Sequence, residues 1–204
     1  MLNLLGQIRL YSLIDLILLL IAIKSGTFQL IGAVFLHLGF LLFLEYTHKH
    51  EYRIPFPKYL WAPLLLTGMV FYKSIFVTGF LICSFLYTKK NLPSLSPYGP
   101  IFRGLQNYFL VAGIIGFLNP LSLIVGGLFG LRNFAGDIRD ITKDRKDKLK
   151  TLPMILGFNK DIKYIHLILL LLTTFIWWDI STSSLSWLIV AYIIQIGTYN
   201  LTQR

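Results

Sequence analysis

The chain has 204 residues, of which 55% are hydrophobic and 14% are charged, and its formal net charge is +10. Its mean hydropathy of +0.68 lies outside the range of ordinary soluble domains, so the composition excludes that class. The apolar runs do not alternate with polar residues, which excludes a transmembrane barrel, and no basic and aromatic module lies between them to suggest nucleic acid as a partner. We predict an all-α, multi-spanning transmembrane bundle of about eight helices.

The predicted membrane spans follow from the lengths of the apolar runs. Four runs each suit one span and cover roughly 5–23, 27–45, 161–178 and 184–202. Two longer runs, from Tyr59 to Tyr87 and from Gly104 to Gly136, are each too long for one span. We therefore predict two helical hairpins, which turn at Tyr72-Lys73 and at Asn119-Pro120.

The distribution of basic residues predicts the orientation of these spans. When Arg9 is counted with the basic loops, 17 of the 19 Lys and Arg residues lie on one side, and Lys24 and Lys73 lie on the other. Such a bias is typical of the cytoplasmic side. We predict one integral membrane domain, residues 1–204, in the plasma membrane, with both termini and the basic loops in the cytoplasm. Its cations are expected to contact anionic membrane lipids.

Four of the nine acidic residues lie in one segment, from Leu131 to Gly157. They are Asp137, Asp140, Asp144 and Asp147. On one continuous helix, their spacing of three, four and three residues would place them within about 80° of arc. Clustered carboxylates select hard cations such as Mg²⁺, and the basic residues between them suit phosphate. An alternative is a solvated helix with ion pairs between Asp144 and Lys148 and between Asp140 and Lys143.

The same segment, GDIRDITKDRKDKLKTLPMILG, resembles the second aspartate-rich motif of the UbiA-type intramembrane prenyltransferases. The shared pattern is DxxDxxxD followed by TLPxxLG, and Arg132-Asn133 stands where that family often has Arg-Glu. The resemblance implies a helical bundle around a central cavity that opens to the cytoplasm. It also implies Mg²⁺-dependent transfer of a prenyl group from a polyprenyl diphosphate to an aromatic or lipid acceptor, as in lipid or quinone biosynthesis.

The resemblance implies roles for individual residues. Asp137, Asp140 and Asp144 would be catalytic and would bind the metal. Two weaker matches, LYTKKN and GLQN, resemble the connection between the middle spans of that family. The residues expected to contact the donor in this half of the site are Lys89, Lys90, Asn107, Arg132, Asn133 and Lys143.

The loop after the second span departs from the family pattern. The first motif of the family reads approximately NDxxDxxxD and is followed by Arg-Pro, whereas this loop reads LEYTHKHEYRIPFPK. Glu45, His48 and Glu51 replace the aspartates. We predict that Glu45 and Glu51 complete the catalytic site and that His48 and Arg53 contact the substrate. A Zn²⁺ site of two His and two Glu is an alternative use of this loop.

Two other functions fit parts of the pattern. The altered first motif suits a pseudoenzyme that binds a prenyl lipid or diphosphate without turnover. A CDP-alcohol phosphotransferase would also place an aspartate-rich Mg²⁺ site between membrane helices. In that class, glycine directly follows the second aspartate of the motif. Here the second aspartate, Asp140, is followed by Ile141-Thr142.

Overall fold

The chain is all-helical in a computed structural model that describes residues 8–48, 57 and 59–201. These residues form ten α-helices and no strand. The helices are α1 (Leu10–Ala22), α2 (Thr27–His48), α3 (Trp61–Tyr72), α4 (Phe76–Thr88), α5 (Gly99–Ile115), α6 (Pro120–Arg139), α7 (Ile141–Lys146), α8 (Leu152–Ile155), α9 (Ile165–Ser181) and α10 (Leu185–Tyr199). A single 3₁₀ turn, Ser96–Tyr98, precedes α5. The all-α prediction is confirmed for the described residues.

The eight longer helices correspond to the eight apolar segments predicted from the sequence. Helix α3 ends at Tyr72, and Lys73 then adopts a left-handed conformation with φ of 50°. At the other predicted turn, the side chain of Asn119 accepts a hydrogen bond from the Leu121 amide, and Pro120 opens α6. Both predicted breaks are confirmed. Among the described residues, two helices are long and apolar enough to cross a membrane, Thr27–Thr47 and Pro120–Arg139, and five further apolar helices are shorter.

The chain forms two compact units, of which the first contains residues 1–73 and 170–204. Within it, α2 and α3 approach each other closely because glycine replaces a side chain at their contact. A Cβ at Gly32 would lie 2.6 Å from the Tyr72 backbone nitrogen, and one at Gly68 would lie 2.8 Å from the Leu36 nitrogen. These positions therefore require glycine for packing.

A methyl group at Gly32 is expected to destabilise the first unit. Gly32→Ala should lower the free energy of unfolding by about 1–3 kcal/mol, because the new atom meets backbone that cannot rotate away. Gly197→Ala in α10 is the matched control, since a Cβ there has no heavy atom within 4 Å. Thermal unfolding of the purified variants measures the difference. Equal melting temperatures for the two variants would contradict this account of the α2–α3 contact.

A buried polar cluster joins α1, α9 and α10 in the first unit. Asp15 is fully buried, and its carboxylate accepts hydrogen bonds from Thr174 at 2.8 Å and Thr173 at 3.4 Å. The Gln195 amide donates to the Thr174 hydroxyl at 2.6 Å. Because an unsatisfied buried polar group is costly, these bonds fix how the three helices align.

The second unit contains residues 74–169 and positions the aspartate segment. Helices α5 and α6 run antiparallel and cross at glycine, where a Cβ at Gly104 would lie 2.8 Å from the Gly126 carbonyl oxygen. This crossing brings the first residue of α5, Gly99, beside the end of α6. The site is built at that junction.

Candidate functional site

The aspartate segment is not one continuous helix. Helix α6 ends at Arg139, Asp140 lies between helices with φ of −109° and ψ of 15°, and α7 begins at Ile141. The expectation that all four aspartates share one helical face is therefore wrong. Asp137 lies on α6, Asp144 lies on α7, and Asp147 follows α7 in an exposed position.

Asp140 is held by its neighbour in sequence. The Arg139 guanidinium donates to both carboxylate oxygens of Asp140, at 2.9 Å through Nε and at 2.5 Å through Nη2. This bidentate pair is a strong, charge-assisted contact. It orients Asp140, and it replaces the pairing with Lys143 that the solvated-helix alternative proposed.

Asp137 is the most buried of the four aspartates in the aspartate segment. Its side chain is buried, and its Oδ1 atom lies 3.9 Å from Lys90 Nζ. A Cβ built at Gly99 would lie 3.9 Å from the other oxygen, Asp137 Oδ2, 3.6 Å from Asn133 Oδ1 and 3.8 Å from Lys90 Cδ. We call this space, bounded by Lys90, Gly99, Asn133 and Asp137, the Gly99 cradle. Glycine keeps it open, since any side chain at that position would project into it.

Tyr87 lies at the base of the same cluster. The Asn133 Nδ2 atom donates a hydrogen bond of 2.9 Å to the buried Tyr87 hydroxyl. Lys90 Nζ lies 5.0 Å from the centroid of the Tyr87 ring, and Arg103 Cζ lies 6.0 Å from it. One aromatic ring thus contacts two cations and the amide of Asn133, which makes this part of the second unit electropositive.

The other residues predicted to bind the donor lie in different surroundings. Arg132 is buried with its guanidinium 4.7 Å from the Phe129 ring centroid. Asn107 is buried and donates to the backbone carbonyl of Arg103. Lys89 and Lys143 are exposed. Of this predicted set, the Gly99 cradle brings together Lys90 and Asn133, and the roles of all six residues stay predictions.

The first loop lies largely outside the described residues. Glu45 is half-buried on α2, which ends at His48, while Glu51 and Arg53 fall outside the described residues. The predicted roles of Glu45, His48, Glu51 and Arg53 therefore stay predictions, as does the alternative Zn²⁺ site.

The donor atoms of the Gly99 cradle suit a hard divalent cation. Within the described part of the chain, no three His, Cys, Asp or Glu side chains are grouped to hold a metal ion, so the three aspartates do not form a ready carboxylate cage. The cradle instead offers the Asp137 carboxylate and the Asn133 amide oxygen, which is buried and has no hydrogen-bond partner. Oxygen donors of this kind are the ligands that Mg²⁺ prefers.

Two further polar atoms lie on elements beside the cradle. The hydroxyls of Ser96 and Thr151 are buried without hydrogen-bond partners. Ser96 opens the 3₁₀ turn that leads to Gly99, and Thr151 precedes α8, which packs against both that turn and α6. Buried polar groups normally find partners, so these hydroxyls are candidates for contact with a polar ligand or water.

The raised pKa of Asp144 predicts how the stability of the protein depends on pH. Burial is the main cause that raises its pKa to about 6; Lys90 lowers the pKa and Asp140 raises it. In the unfolded chain, the pKa of an aspartate is about 3.9. Between about pH 4 and 6, the native state therefore binds a proton on Asp144 that the unfolded state has lost. The free energy of unfolding falls as the pH rises through that range.

Asp144→Asn is therefore expected to raise the melting temperature at about pH 7 and to leave it unchanged at about pH 4. The measurement is thermal unfolding with a chelator present. Asp147→Asn serves as the control, because Asp147 is exposed. The same increase at both pH values would show that the substitution acts through packing instead of through charge.

Sequence reasoning missed Gly99 and Arg103. Gly-Pro at positions 99 and 100 is a recognisable helix start, but nothing local indicates that Gly99 faces Asp137, 38 positions along the sequence. Arg103 was counted only as a topology-determining cation. Its burial in a hydrogen-bonded network with Gln106 and Ser84 depends on how α4 and α5 pack.

Comparison with known families gives one match. A family model described as VviA prenyltransferase matches residues 122–197, which contain most of α6, the aspartate segment and much of α10. Searches of curated proteins and of solved structures found no match. The similarity supports a prenyltransferase over this part of the chain, and it implies a prenyl donor as the substrate.

Proposed function

We propose that this protein is a membrane-embedded prenyltransferase of the UbiA type, which transfers a prenyl group from a polyprenyl diphosphate to an aromatic or lipid acceptor. The observation that carries the proposal is the Gly99 cradle, where the Lys90 ammonium lies beside a buried carboxylate and an orphan amide oxygen. Asp137 and Asn133, which supply those oxygens, lie in the region that matches a prenyltransferase family. Asp137, Lys90 and Asn133 would bind the diphosphate end of the donor.

The charges at the cradle suit a diphosphate. Lys90 Nζ offers a charge-assisted hydrogen bond to a phosphate oxygen, and Arg103 adds a second positive charge beneath Tyr87. Gly99 is also the first residue of a 17-residue helix, whose dipole favours negative charge at that end. Together these groups would stabilise the charge that builds on the leaving diphosphate.

A divalent cation held by Asp137 and Asn133 would neutralise the leaving group as a Lewis acid. In the reaction, the bond between C1 of the prenyl chain and the diphosphate oxygen breaks, and the electron pair leaves with the diphosphate. The acceptor then forms a bond to C1 and loses a proton. The chain would contribute an environment that keeps water from the allylic cation, since apolar and aromatic residues dominate its helices.

The surface of the helices supports a membrane location for this chemistry. Large apolar side chains are exposed along α9 and α10, and they include Ile168, Leu172, Phe175, Ile189, Ile193 and Ile196. Such faces are unfavourable in water and favourable in lipid.

The direct test is an assay of the purified protein with Mg²⁺, labelled prenyl diphosphates and a membrane lipid extract. A transferase moves the label into a lipid or aromatic product and releases diphosphate. The departures in the loop from Glu45 to Arg53 favour a second candidate, a pseudoenzyme, which would retain the labelled diphosphate without releasing product. Failure to bind any prenyl diphosphate would contradict both candidates.

The proposed topology predicts where reporters fused to the chain will lie. A reporter after Arg204 and one inserted beside Lys90 should both report the cytoplasm, because 17 of the 19 basic residues are assigned to that side. A reporter inserted beside Lys73 should report the opposite side. An extracytoplasmic result at Lys90 would contradict the eight-span arrangement and would separate the Gly99 cradle from a cytoplasmic donor.

A further inference from the structure

A chain of hydrogen bonds joins the Arg103 side chain on α5 to the backbone of α4. The Arg103 guanidinium donates to Gln106 Oε1, and the Gln106 amide nitrogen donates to the Ser84 hydroxyl at 2.5 Å. That hydroxyl in turn donates to the backbone carbonyl of Phe80 at 2.7 Å. Arg103 and Ser84 are buried, and Gln106 is fully buried. The chain therefore runs inside the second unit, where water does not compete for these bonds.

The direction of this chain follows from the chemistry of its two ends. A guanidinium only donates hydrogen bonds, and a backbone carbonyl only accepts them. The Gln106 amide must therefore turn its oxygen to Arg103 and its nitrogen to Ser84. The reversed amide would place its own N–H donors against the N–H donors of Arg103. Gln106 thus has one orientation that satisfies both neighbours, and in that orientation it holds the guanidinium in place.

The guanidinium held by Gln106 lies close to the Gly99 cradle. Gly99 and Arg103 are four residues apart on α5, so they share one face of that helix. Arg103 Cζ and Lys90 Nζ lie 6.0 Å and 5.0 Å from the centroid of the same ring, that of Tyr87. Charges in a buried environment are screened weakly. The positive charge of Arg103 therefore contributes to the attraction of an anion to the cradle.

We propose that Gln106 is a positioning residue for the diphosphate, whose neutral amide oxygen holds the Arg103 guanidinium one helical turn from the Gly99 cradle and adds no negative charge there. This inference rests on the proposed function for the identity of the anion. Gln106→Glu would still hold Arg103, but its negative charge would oppose the attraction of Arg103 for a diphosphate. The neutral amide is therefore what combines a fixed cation with a site that attracts an anion.

The first experiment separates the charge at position 106 from the shape of the side chain. Gln106→Glu keeps the length of the side chain and the acceptor for Arg103, so the melting temperature should not fall. Its buried negative charge should weaken the binding of inorganic pyrophosphate in the presence of Mg²⁺ by about tenfold. Isothermal titration calorimetry of the full-length purified protein measures this affinity.

Asn159→Asp is the control for Gln106→Glu, because it makes the same change in net charge in the second unit. Asn159 is exposed, so water and salt screen a charge at that position. Asn159→Asp should therefore leave the affinity for pyrophosphate unchanged.

The second experiment asks whether Gln106 acts through Arg103. Gln106→Leu removes the acceptor and should weaken pyrophosphate binding by about tenfold in the parent protein. In the Arg103→Leu background, the same substitution should cause no further loss, because the cation that Gln106 positions is absent. Replacing both members of a buried hydrogen-bonded pair with apolar side chains can be nearly neutral for stability. The melting temperature of the double variant verifies that it is folded.

Two results would overturn the inference. Unchanged affinity in Gln106→Glu would show that a charge at position 106 does not act on the bound anion. Equal losses from Gln106→Leu in both backgrounds would show that the amide acts through packing alone. Prenyl transfer by the parent protein, together with either result, would leave the proposed function intact. The predicted binding pattern in a protein that never transfers a prenyl group would instead contradict the proposed transferase alone.

Discussion

Asp137→Asn is expected to reduce prenyl transfer by about 100- to 1000-fold, while the protein still folds. The substitution keeps the shape of the side chain but removes the buried carboxylate that faces both Lys90 and the Gly99 cradle. Without that charge, a divalent cation loses its only anionic ligand in the cradle, and the leaving diphosphate loses the corresponding stabilisation.

The measurement for this prediction is the rate of product formation at saturating prenyl diphosphate and Mg²⁺. Asp147→Asn is the matched control, because Asp147 is an exposed aspartate of the same segment, and it should retain most of the activity. Unchanged melting temperatures would establish that both variants are folded. Similar losses of activity for the two variants would indicate a general effect of charge in the segment and would contradict a specific role for Asp137.

Gly99→Ala is expected to abolish binding of the diphosphate with little change in stability. The new methyl group would lie 3.6–3.9 Å from Asn133, Lys90 and Asp137, which is ordinary contact distance, so the fold should accept it. It would nevertheless occupy the space assigned to the ligand. Any donor that still binds would have its diphosphate displaced. Since a misplacement of about 1 Å can cost about 100-fold in rate, we expect the rate of prenyl transfer to fall by at least that factor.

A glycine elsewhere in the second unit provides the control for Gly99→Ala. A Cβ at Gly127 on α6 has no heavy atom within 4 Å, so Gly127→Ala should leave both transfer and stability nearly unchanged. The binding of a fluorescent prenyl diphosphate analogue and the melting temperature are the two measurements. Normal binding by Gly99→Ala would show that the diphosphate does not enter the cradle.

The sequence predicted the helices well because their signals are local. The left-handed turn at Lys73 and the Asn119-Pro120 helix start depend on residues within a few positions, and both lie where the apolar runs were divided. The break at Asp140 could not be predicted in this way. The segment GDIRDITKDRK contains no proline and no glycine at the break itself, so its helical periodicity continues through the point where the chain turns.

The candidate site was predicted only in part because it depends on contacts between distant residues. Lys89 and Lys90 looked equivalent in the sequence, but α4 ends at Thr88, and only Lys90 reaches Asp137. Gly99 meets Asn133 because α5 and α6 cross at Gly104 and Gly126. Neither the hydrophobic periodicity nor any motif predicts that crossing. Spacing in the sequence therefore grouped the aspartates with one another, whereas the Gly99 cradle is formed by packing between helices.

The most direct test of the central claim is an experimental structure with Mg²⁺ and a prenyl thiolodiphosphate, an analogue whose leaving group is held by a stable sulfur bond. We predict that its diphosphate lies in the Gly99 cradle, within hydrogen-bonding distance of Lys90 Nζ, with the cation between the diphosphate and the oxygens of Asp137 and Asn133. A diphosphate bound elsewhere, with the Gly99 cradle occupied by neither phosphate nor cation, would contradict the account.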